Sequence, residues 1–559
     1  MVKRFLTVFH KEWGGLHEAA YLLGLFAFLS QVLALFRDRL LAGLFGAGIQ
    51  LDIYYTAFRI PDFLYIAVAS LVSVTVLVPF FINHLEGEDT ASARRFINNV
   101  FTVFFFTLVA VSVITGVAIP WLVKIIAPGF LPAQYAELIF LSRLLLLSPL
   151  LLGLSNLFGA ITQSYRQFFV YALSPILYNV GIIAGVWFWA PHYGVAGVVW
   201  GVLLGALFHL AVQIPPVVKK GLFPSFSFHI DFQEIKQVTL LSLPRTFVLS
   251  TQQLIMIVFL ALASLLGEGA ISVLKFSFNL QSVPLSIIGV SYSVAAFPTL
   301  AQLFSNGEKE AFAKQIMVAA KHIIFWSLPV LVLFIVLRAQ MVRSILGTGA
   351  FGWTETRLTA AALALFAVSV VAQSLVFLFV RGYYASNYTK KPVVINSIAA
   401  VITIALAFIL LDFFAANNTF RFFVEDLFRV SGVANTSVLM LPLAFSIGSI
   451  VNALLFWVIF EKDFPSFSMS IASSLYHSFA GSVVMGFVAH QMLGVLDNMF
   501  DITTFWGIFS QGFFASITGL IAGVCLLYIL ENKEIREIWD SFHHKFWKAE
   551  AVAPEQPEL

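Results

Sequence analysis

Apolar stretches of membrane-spanning length recur along the whole chain, and this limits the fold more than any other feature. A helix needs about 20 residues to cross the hydrocarbon of a bilayer. Fourteen stretches reach that length, at 19–45, 52–84, 95–126, 134–165, 168–190, 195–218, 236–266, 270–304, 311–340, 355–386, 391–413, 438–461, 469–495 and 505–530. In lipid only helices and closed barrels satisfy the backbone. The regular length and poor alternation of these stretches predict helices. Of 559 residues, 60% are hydrophobic and 11% charged, with a mean hydropathy of +0.92. Soluble globular proteins carry roughly 25% charged residues, so the expected class is an all-α integral membrane protein. A net charge of +3 gives no reason to expect a nucleic-acid partner. The single cysteine, Cys525, rules out an intrachain disulfide or a cysteine metal site.

The opening, MVKRFLTVFHKEWGGLHE, is basic and amphipathic, and no small-residue cleavage site follows it. It reads as a cytoplasmic arm over 1–18, not a signal peptide. With the N-terminus inside, nineteen lysines and arginines fall in inner loops and tails, against five in outer loops. That bias supports the orientation and an even number of spans, with both termini cytoplasmic. A repeat with a period near 220 is also visible. LFGAG (44–48) echoes LLGEG (265–269), VPFF (78–81) echoes FPTL (297–300), VKIIAPGF (123–130) echoes VRSILGTGAF (342–351), and PILYN (175–179) echoes PVVIN (392–396). Six spans separate each pair, so the halves share one orientation, as in parallel repeats about an axis along the membrane normal. The expected architecture is a lobe at 19–222 (spans 1–6), a second at 223–461 (spans 7–12), two further spans within 462–530 and a cytoplasmic tail over 531–559.

Six charges crowd into FRDRLLAGLFGAGIQLDIYYTAFRIPDFLY (36–65): Arg37, Asp38, Arg39, Asp52, Arg59 and Asp62. Ser30 and Arg37 are seven residues apart, as are Gln31 and Asp38, which places them along one stripe of a helix. Asp52, Thr56, Arg59 and Asp62 make a second stripe. Lys275, Asn279, Ser282, Ser286 and Ser293 make a third, in span 8. A charge near the bilayer centre costs about 2.5–3.5 kcal/mol even on the lenient insertion scale. These groups are therefore expected to face a bundle interior or a wet cavity. Structural ion pairs are one account of them, and would join Arg37 to Asp52 or Arg59 to Asp62. They serve less well for Arg143, Arg245 and Lys275, whose own spans offer no nearby carboxylate. The other account is a cavity with cationic excess that holds an anionic headgroup, with phosphate suiting the forked donors of arginine.

The 36–65 stretch resembles the opening signature of the MurJ (MviN) family of bacterial lipid II flippases, part of the multidrug/oligosaccharidyl-lipid/polysaccharide exporter superfamily. The resemblance continues through SRLLLLSPLLLGLSNLFGAITQSYRQFFVYALSPILYN, VQIPPVVKKG, SLPRTFVLSTQQL and NLQSVPLSIIGVSYSVAAFPTL, over roughly residues 20–460. It implies alternating-access transport of a lipid-linked, diphosphate-bearing peptidoglycan precursor from the inner to the outer leaflet of the bacterial plasma membrane. It also implies that Ser30, Arg37, Asp38, Asp52 and Arg59 line the central cavity. Gln31, Tyr65 and Asn279 stand where the family often has arginine, and Lys275, one turn before Asn279, is expected to replace that charge. ASLVS (69–73) replaces a usual glutamate-glycine element.

Other motifs carry less. Gly46-Ala47-Gly48 has no preceding strand and reads as a turn between spans. No Walker motif and no H-E-x-x-H occur, so no cofactor and no metal are expected. His209, His477 and His490 lie within spans and read as polar helix contacts. Pro175 and Pro392 open P-x-x-x-N segments whose asparagines are expected to bond neighbouring helices. NNTFRFFVEDLFRV (417–430) sets Phe420, Phe423, Val424 and Leu427 on one face and predicts an outer interfacial helix. Besides a lipid-precursor flippase, the sequence admits an exporter of another polyprenyl-diphosphate glycan or a drug/ion antiporter. A membrane enzyme lacks a converging nucleophile and acid/base pair, and a non-transporting scaffold fits poorly with three charged stripes. A monomer is expected, with the bilayer and an anionic lipid-linked substrate as partners.

Overall fold

The computed structural model describes residues 16–69, 77, 78, 80, 81, 90–465, 467, 472–530, 532 and 535. Every regular element among them is helical. Nearly all of the amphipathic arm expected over 1–18, the tail over 531–559, Pro79 and most of ASLVS lie outside the described residues.

Ten helices are long and apolar enough to cross a membrane, and an eleventh span follows if the bent pair Trp353–Ala367 and Ser369–Ala385, at 41°, is taken as one. Among the described residues that is eleven of the fourteen expected stretches. The other three differ for visible reasons. Leu16–Phe45 is a continuous helix of 30 residues, but the side chains of its first turns lie outside the described residues, and its described remainder carries Arg37, Asp38 and Arg39. The second stretch is broken into Ile49–Ala57, Arg59–Leu64 and a π-helical turn at Tyr65–Ala69, and its remainder is described only in fragments. Phe232–Leu265 is 34 residues long, but several of its side chains, Arg245 included, lie outside the described residues.

Local chemistry sets the ends of these helices. Asp231 caps Phe232–Leu265 by accepting from Gln233 N (2.9 Å) and Glu234 N (3.2 Å). Thr504 caps Phe505–Ile529 through Gly507 N at 3.0 Å. Both satisfy amides that a helix start leaves bare. π-Helical turns, which widen a helix and often mark working sites, occur among the described residues at Tyr65–Ala69, Gly185–Trp189 and Leu285–Val290. The first and the last start 285 − 65 = 220 residues apart, and the middle one at Gly185 has no counterpart at that spacing among the described residues.

The chain divides into two compact units. One comprises Met1–Val283, Ile345–Ala362 and Thr389–Gly448. In it, the loop after Leu16–Phe45 meets two other turns at backbone distance. Gly269 (φ +83°) lies against the Ala47 carbonyl and Gly349 (φ +53°) against that of Gly43, so neither site has room for a Cβ. Ala350 N donates to Gly43 O at 2.9 Å, and Arg39 Nη1 to Ile345 O at 3.2 Å. The other unit comprises Pro284–Ser344, Leu363–Tyr388 and Ser449–Leu559. Its core includes Phe312, Phe379, Phe456, Phe460 and Tyr383, all fully buried, and Tyr383 donates its hydroxyl to Asp463 at 2.8 Å.

The stretch expected as an interfacial helix forms a helix at Asn418–Leu427, capped by Asn417 through Phe420 N at 2.9 Å. Its apolar face divides. Phe420 packs on Phe413 and Phe414 and Val424 is buried, whereas Phe422, Phe423 and Leu427 are exposed. Beneath it Glu425 accepts from Thr436 Oγ1 (2.6 Å) and Arg421 Nε (2.9 Å).

Candidate functional site

Arg37 and Asp38 are neighbours on the Leu16–Phe45 helix. Arg37 donates to one oxygen of Asp38 from Nε (3.0 Å) and Nη2 (2.8 Å), and from Nη1 to Asn179 Oδ1 (3.1 Å). Asn279 Nδ2 holds the other Asp38 oxygen at 2.8 Å. This corrects the expectation that Asp52 would pair with Arg37. Neighbours on a helix project about 100° apart, but the long arginine stem curls back across that angle. Asn179 also reaches Ser30 Oγ, at 3.4 Å, so Ser30 supports this network from behind. The P-x-x-x-N asparagine bonds a neighbouring helix, as expected.

Asp52 is turned elsewhere. It is 1% exposed and accepts from Gly269 N (2.7 Å), Ser272 N (2.8 Å) and Ser272 Oγ (2.6 Å). It caps, from another helix, the start of Ala270–Pro284, where bare amides and the helix dipole favour a carboxylate. Neither of the two cavities described next includes it in its wall, and its bonds join two helices.

Two cavities lie within the first unit. The larger, about 320 Å³, is lined by Gln31, Arg37, Asp38, Arg59, Asp62, Tyr54, Tyr55, Tyr178, Lys275, Asn279 and Ser282, among others. The smaller, about 260 Å³, is lined by Gln252, Gln253, Met256, Leu260, Leu274 and Phe278. Arg59, Asp62 and Lys275 line both. Three cations and two carboxylates in the larger cavity leave a net charge of 3 − 2 = +1. Two polar atoms of its wall, Arg59 Nε and Tyr55 Oη, are buried with no hydrogen-bond partner among the described residues. Tyr55 and Arg59 are four apart, so the two groups lie on one helical face. A buried donor left unmade costs about 1–3 kcal/mol.

The expected substrate residues thus separate. Arg37, Asp38, Arg59, Lys275 and Asn279 meet at one cavity, Ser30 stands behind it, and Asp52 belongs to a joint. Arg143 sits apart, exposed, with Nε donating to the Gly116 carbonyl at 3.1 Å. His209 is a polar helix contact, its Nδ1 at 2.7 Å from Ser155 Oγ. Tyr65, one of the departures from the family pattern, accepts from Asn156 Nδ2 at 2.8 Å. The sequence reading passed over Tyr54, Tyr178, Gln252 and Gln253. Their signal was a polar atom inside an apolar span, without a charge to mark it. Among the described residues, no group of three or more His, Cys, Asp or Glu could hold a metal ion.

Comparison with known proteins adds a family. The family model described as lipid II flippase MurJ matches residues 41–418. The probable lipid II flippase MurJ of Rhizobium tropici is 28% identical over 422 residues, covering 73% of this chain and 75% of that protein. The probable lipid II flippase MurJ of Buchnera aphidicola subsp. Acyrthosiphon pisum (strain APS) is 24% identical, covering 92% and 96%. Among solved structures, lipid II flippase MurJ in an inward closed conformation superposes with a TM-score of 0.72, at 20% identity, over 93% of this chain and 100% of that one. An inward-facing multidrug resistance MATE family transporter superposes with a TM-score of 0.62, at 14% identity, over 79% and 96%. At these identities the structures speak for the fold alone.

Proposed function

The chain belongs to the lipid II flippase MurJ family, and we propose from that premise that it carries a lipid-linked, diphosphate-bearing peptidoglycan precursor from the inner to the outer leaflet. It works by alternating access as a monomer, with both termini cytoplasmic. Two six-helix lobes, 19–222 and 223–461, are related by a pseudo-twofold along the membrane normal, with two added helices within 462–530. The chain is a transporter and not an enzyme.

One observation carries the reading. A cavity between apolar helices holds a net positive charge, and a buried guanidinium in its wall has an N–H, Arg59 Nε, with no partner among the described residues. Phosphate oxygens are the acceptors that arginine geometry suits best. The test is rescue of a flippase-depleted bacterium by this chain, with labelling of precursor exposed on the outer leaflet. Growth together with restored outer-leaflet precursor is the expected result. Membrane-inserted protein that restores neither would end the proposal.

A second reading, export of another polyprenyl-diphosphate glycan, draws on Gln31 and Asn279. Both stand at the larger cavity where the family often has arginine. It would show as failed rescue together with binding of undecaprenyl diphosphate.

A further inference from the structure

The two cavities differ in chemistry although they share a wall. The larger presents charge and three phenols, Tyr54, Tyr55 and Tyr178. The smaller adds two carboxamides, Gln252 and Gln253, set against Met256, Leu260 and Phe278. The polar groups that are charged in the smaller cavity are those of the shared wall, Arg59, Asp62 and Lys275.

We infer that the smaller cavity is a subsite for the uncharged, amide-bearing part of a lipid-linked headgroup, read by Gln252 and Gln253. The diphosphate rests on Arg59 and Lys275 at the shared wall. The inference rests on the flippase reading above and adds to it a division of labour within the site.

The chemistry of the walls argues for this division. A carboxamide offers two donors and one acceptor and carries no charge. Two of them complement the C=O and N–H of an N-acetyl group or a peptide bond, and neither can neutralise an ion. Adjacent helical residues project about 100° apart, so Gln252 and Gln253 approach a bulky group from two sides. Met256 and Leu260 follow Gln253 at helical spacing and extend the same face with apolar surface. With Phe278 they suit the C–H faces of a sugar ring. An anion placed there would lack a counter-charge beyond the shared wall, and a cation would meet Arg59 and Lys275. Arg59 and Lys275, the two cations that line both cavities, mark that wall as the place for the acceptor. A ligand whose anionic group adjoins an uncharged, amide-bearing segment fits the pair of cavities end to end.

The experiment uses the full chain in lipid nanodiscs and reads binding by native mass spectrometry. The probes are undecaprenyl diphosphate, the same lipid carrying its N-acetylated disaccharide-pentapeptide, and a soluble nucleoside diphosphate N-acetylhexosamine. In the Gln252→Leu/Gln253→Leu variant, affinity for the disaccharide-pentapeptide lipid should fall about tenfold, the size expected for two lost neutral hydrogen bonds. Affinity for undecaprenyl diphosphate should stay within about twofold. Met256→Trp, which narrows the cavity without touching either amide, should give the same pattern. Arg59→Gln should weaken both lipids. Equal loss of both lipids in the glutamine variant, or no loss of either, overturns the subsite. Soluble sugar nucleotide binding as tightly as the lipid-linked headgroup overturns the assignment to a lipid-linked ligand. Wild-type protein that binds neither lipid removes the flippase reading itself, a result distinct from failure of the subsite.

Discussion

Two regions drawn from the same short charged stretch are built in opposite ways. At the joint formed by Gly43–Asp52 with Gly269–Ser272, each Asp52 oxygen is taken by a donor and the backbones touch where a Cβ would not fit. At the cavity a few turns along, Arg59 keeps a buried N–H free of any partner among the described residues, and cations outnumber carboxylates. Satisfied groups hold a fold together, and a cavity with excess cations is left open to an anion. Six charges that look alike in sequence therefore fall into joining and binding sets.

The contrast breaks first at Asp52. Asp52→Ala strips an acceptor from two buried amides and a hydroxyl, at about 1–3 kcal/mol for each group left bare. We expect a loss of roughly 3–5 kcal/mol, read as a large fall in the thermal unfolding midpoint of the purified protein. Asp52→Asn keeps one carbonyl acceptor and should lose less. If Asp52→Ala unfolds like wild type yet stops transport, Asp52 belongs with the binding set.

Arg59 should give the mirror image. Arg59→Gln removes the cation while keeping length and a polar tip. Outer-leaflet precursor should fall at least tenfold, about 1.4 kcal/mol, with the unfolding midpoint within about 2 °C of wild type. A stability loss matching that of Asp52→Ala would place Arg59 in the joint.

Arg37 lies between these two cases. It faces the cavity, but three of its five N–H groups already serve Asp38 and Asn179. Arg37→Ala leaves Asp38, whose side chain is 4% exposed, with Asn279 as its remaining partner. A double-mutant cycle with Asp38→Ala should show a coupling of about 1–3 kcal/mol in stability, so the double variant loses less stability than the two single losses added together. Transport should not return with stability. Additive stabilities would mean the pair does not act as a unit.

How much of this was legible follows from what spacing can encode. Helical stripes turned Arg37, Arg59 and Lys275 each toward a bundle interior because the 3.6-residue period fixes which residues share a face. The period does not say which helix a stripe meets. Asp52 and Arg37 lie on different helices, and no local rule foretells that the carboxylate would reach the start of Ala270–Pro284 instead. The Arg37–Asp38 pair is not legible in spacing, because adjacent residues project about 100° apart and only arginine's long stem closes that gap. Gln252 and Gln253 are not legible either, because an amide in an apolar span raises no charge signal. The spans themselves were plainer, since lipid permits few backbone solutions. Leu16–Phe45 and Phe232–Leu265 are long helices despite the charges and hydroxyls within them.

The smallest effect sharpens the comparison with a carboxylate that joins, as Asp52 does, but within reach of water. Glu425 lies on the helix between two spans, bonded by Thr436 and Arg421. Burial pushes its carboxyl up, but the Thr436 hydroxyl and the Arg421 guanidinium outweigh burial and hold it below the usual 4.5. A group whose folded value is depressed adds stability above its unfolded value and loses it as pH falls through the folded one. Wild type should therefore exceed Glu425→Gln in unfolding midpoint by a small, constant margin from pH 7 to about pH 5. The margin should narrow below pH 4.5 and vanish in stronger acid. Arg421 is half exposed, so 0.5 M salt should reduce the part of the margin that comes from the ion pair and spare the part from Thr436. Asp52, sealed from water, should show no such salt dependence. A margin that grows as pH falls would reverse the sign and show that the Glu425 carboxylate costs stability where it sits.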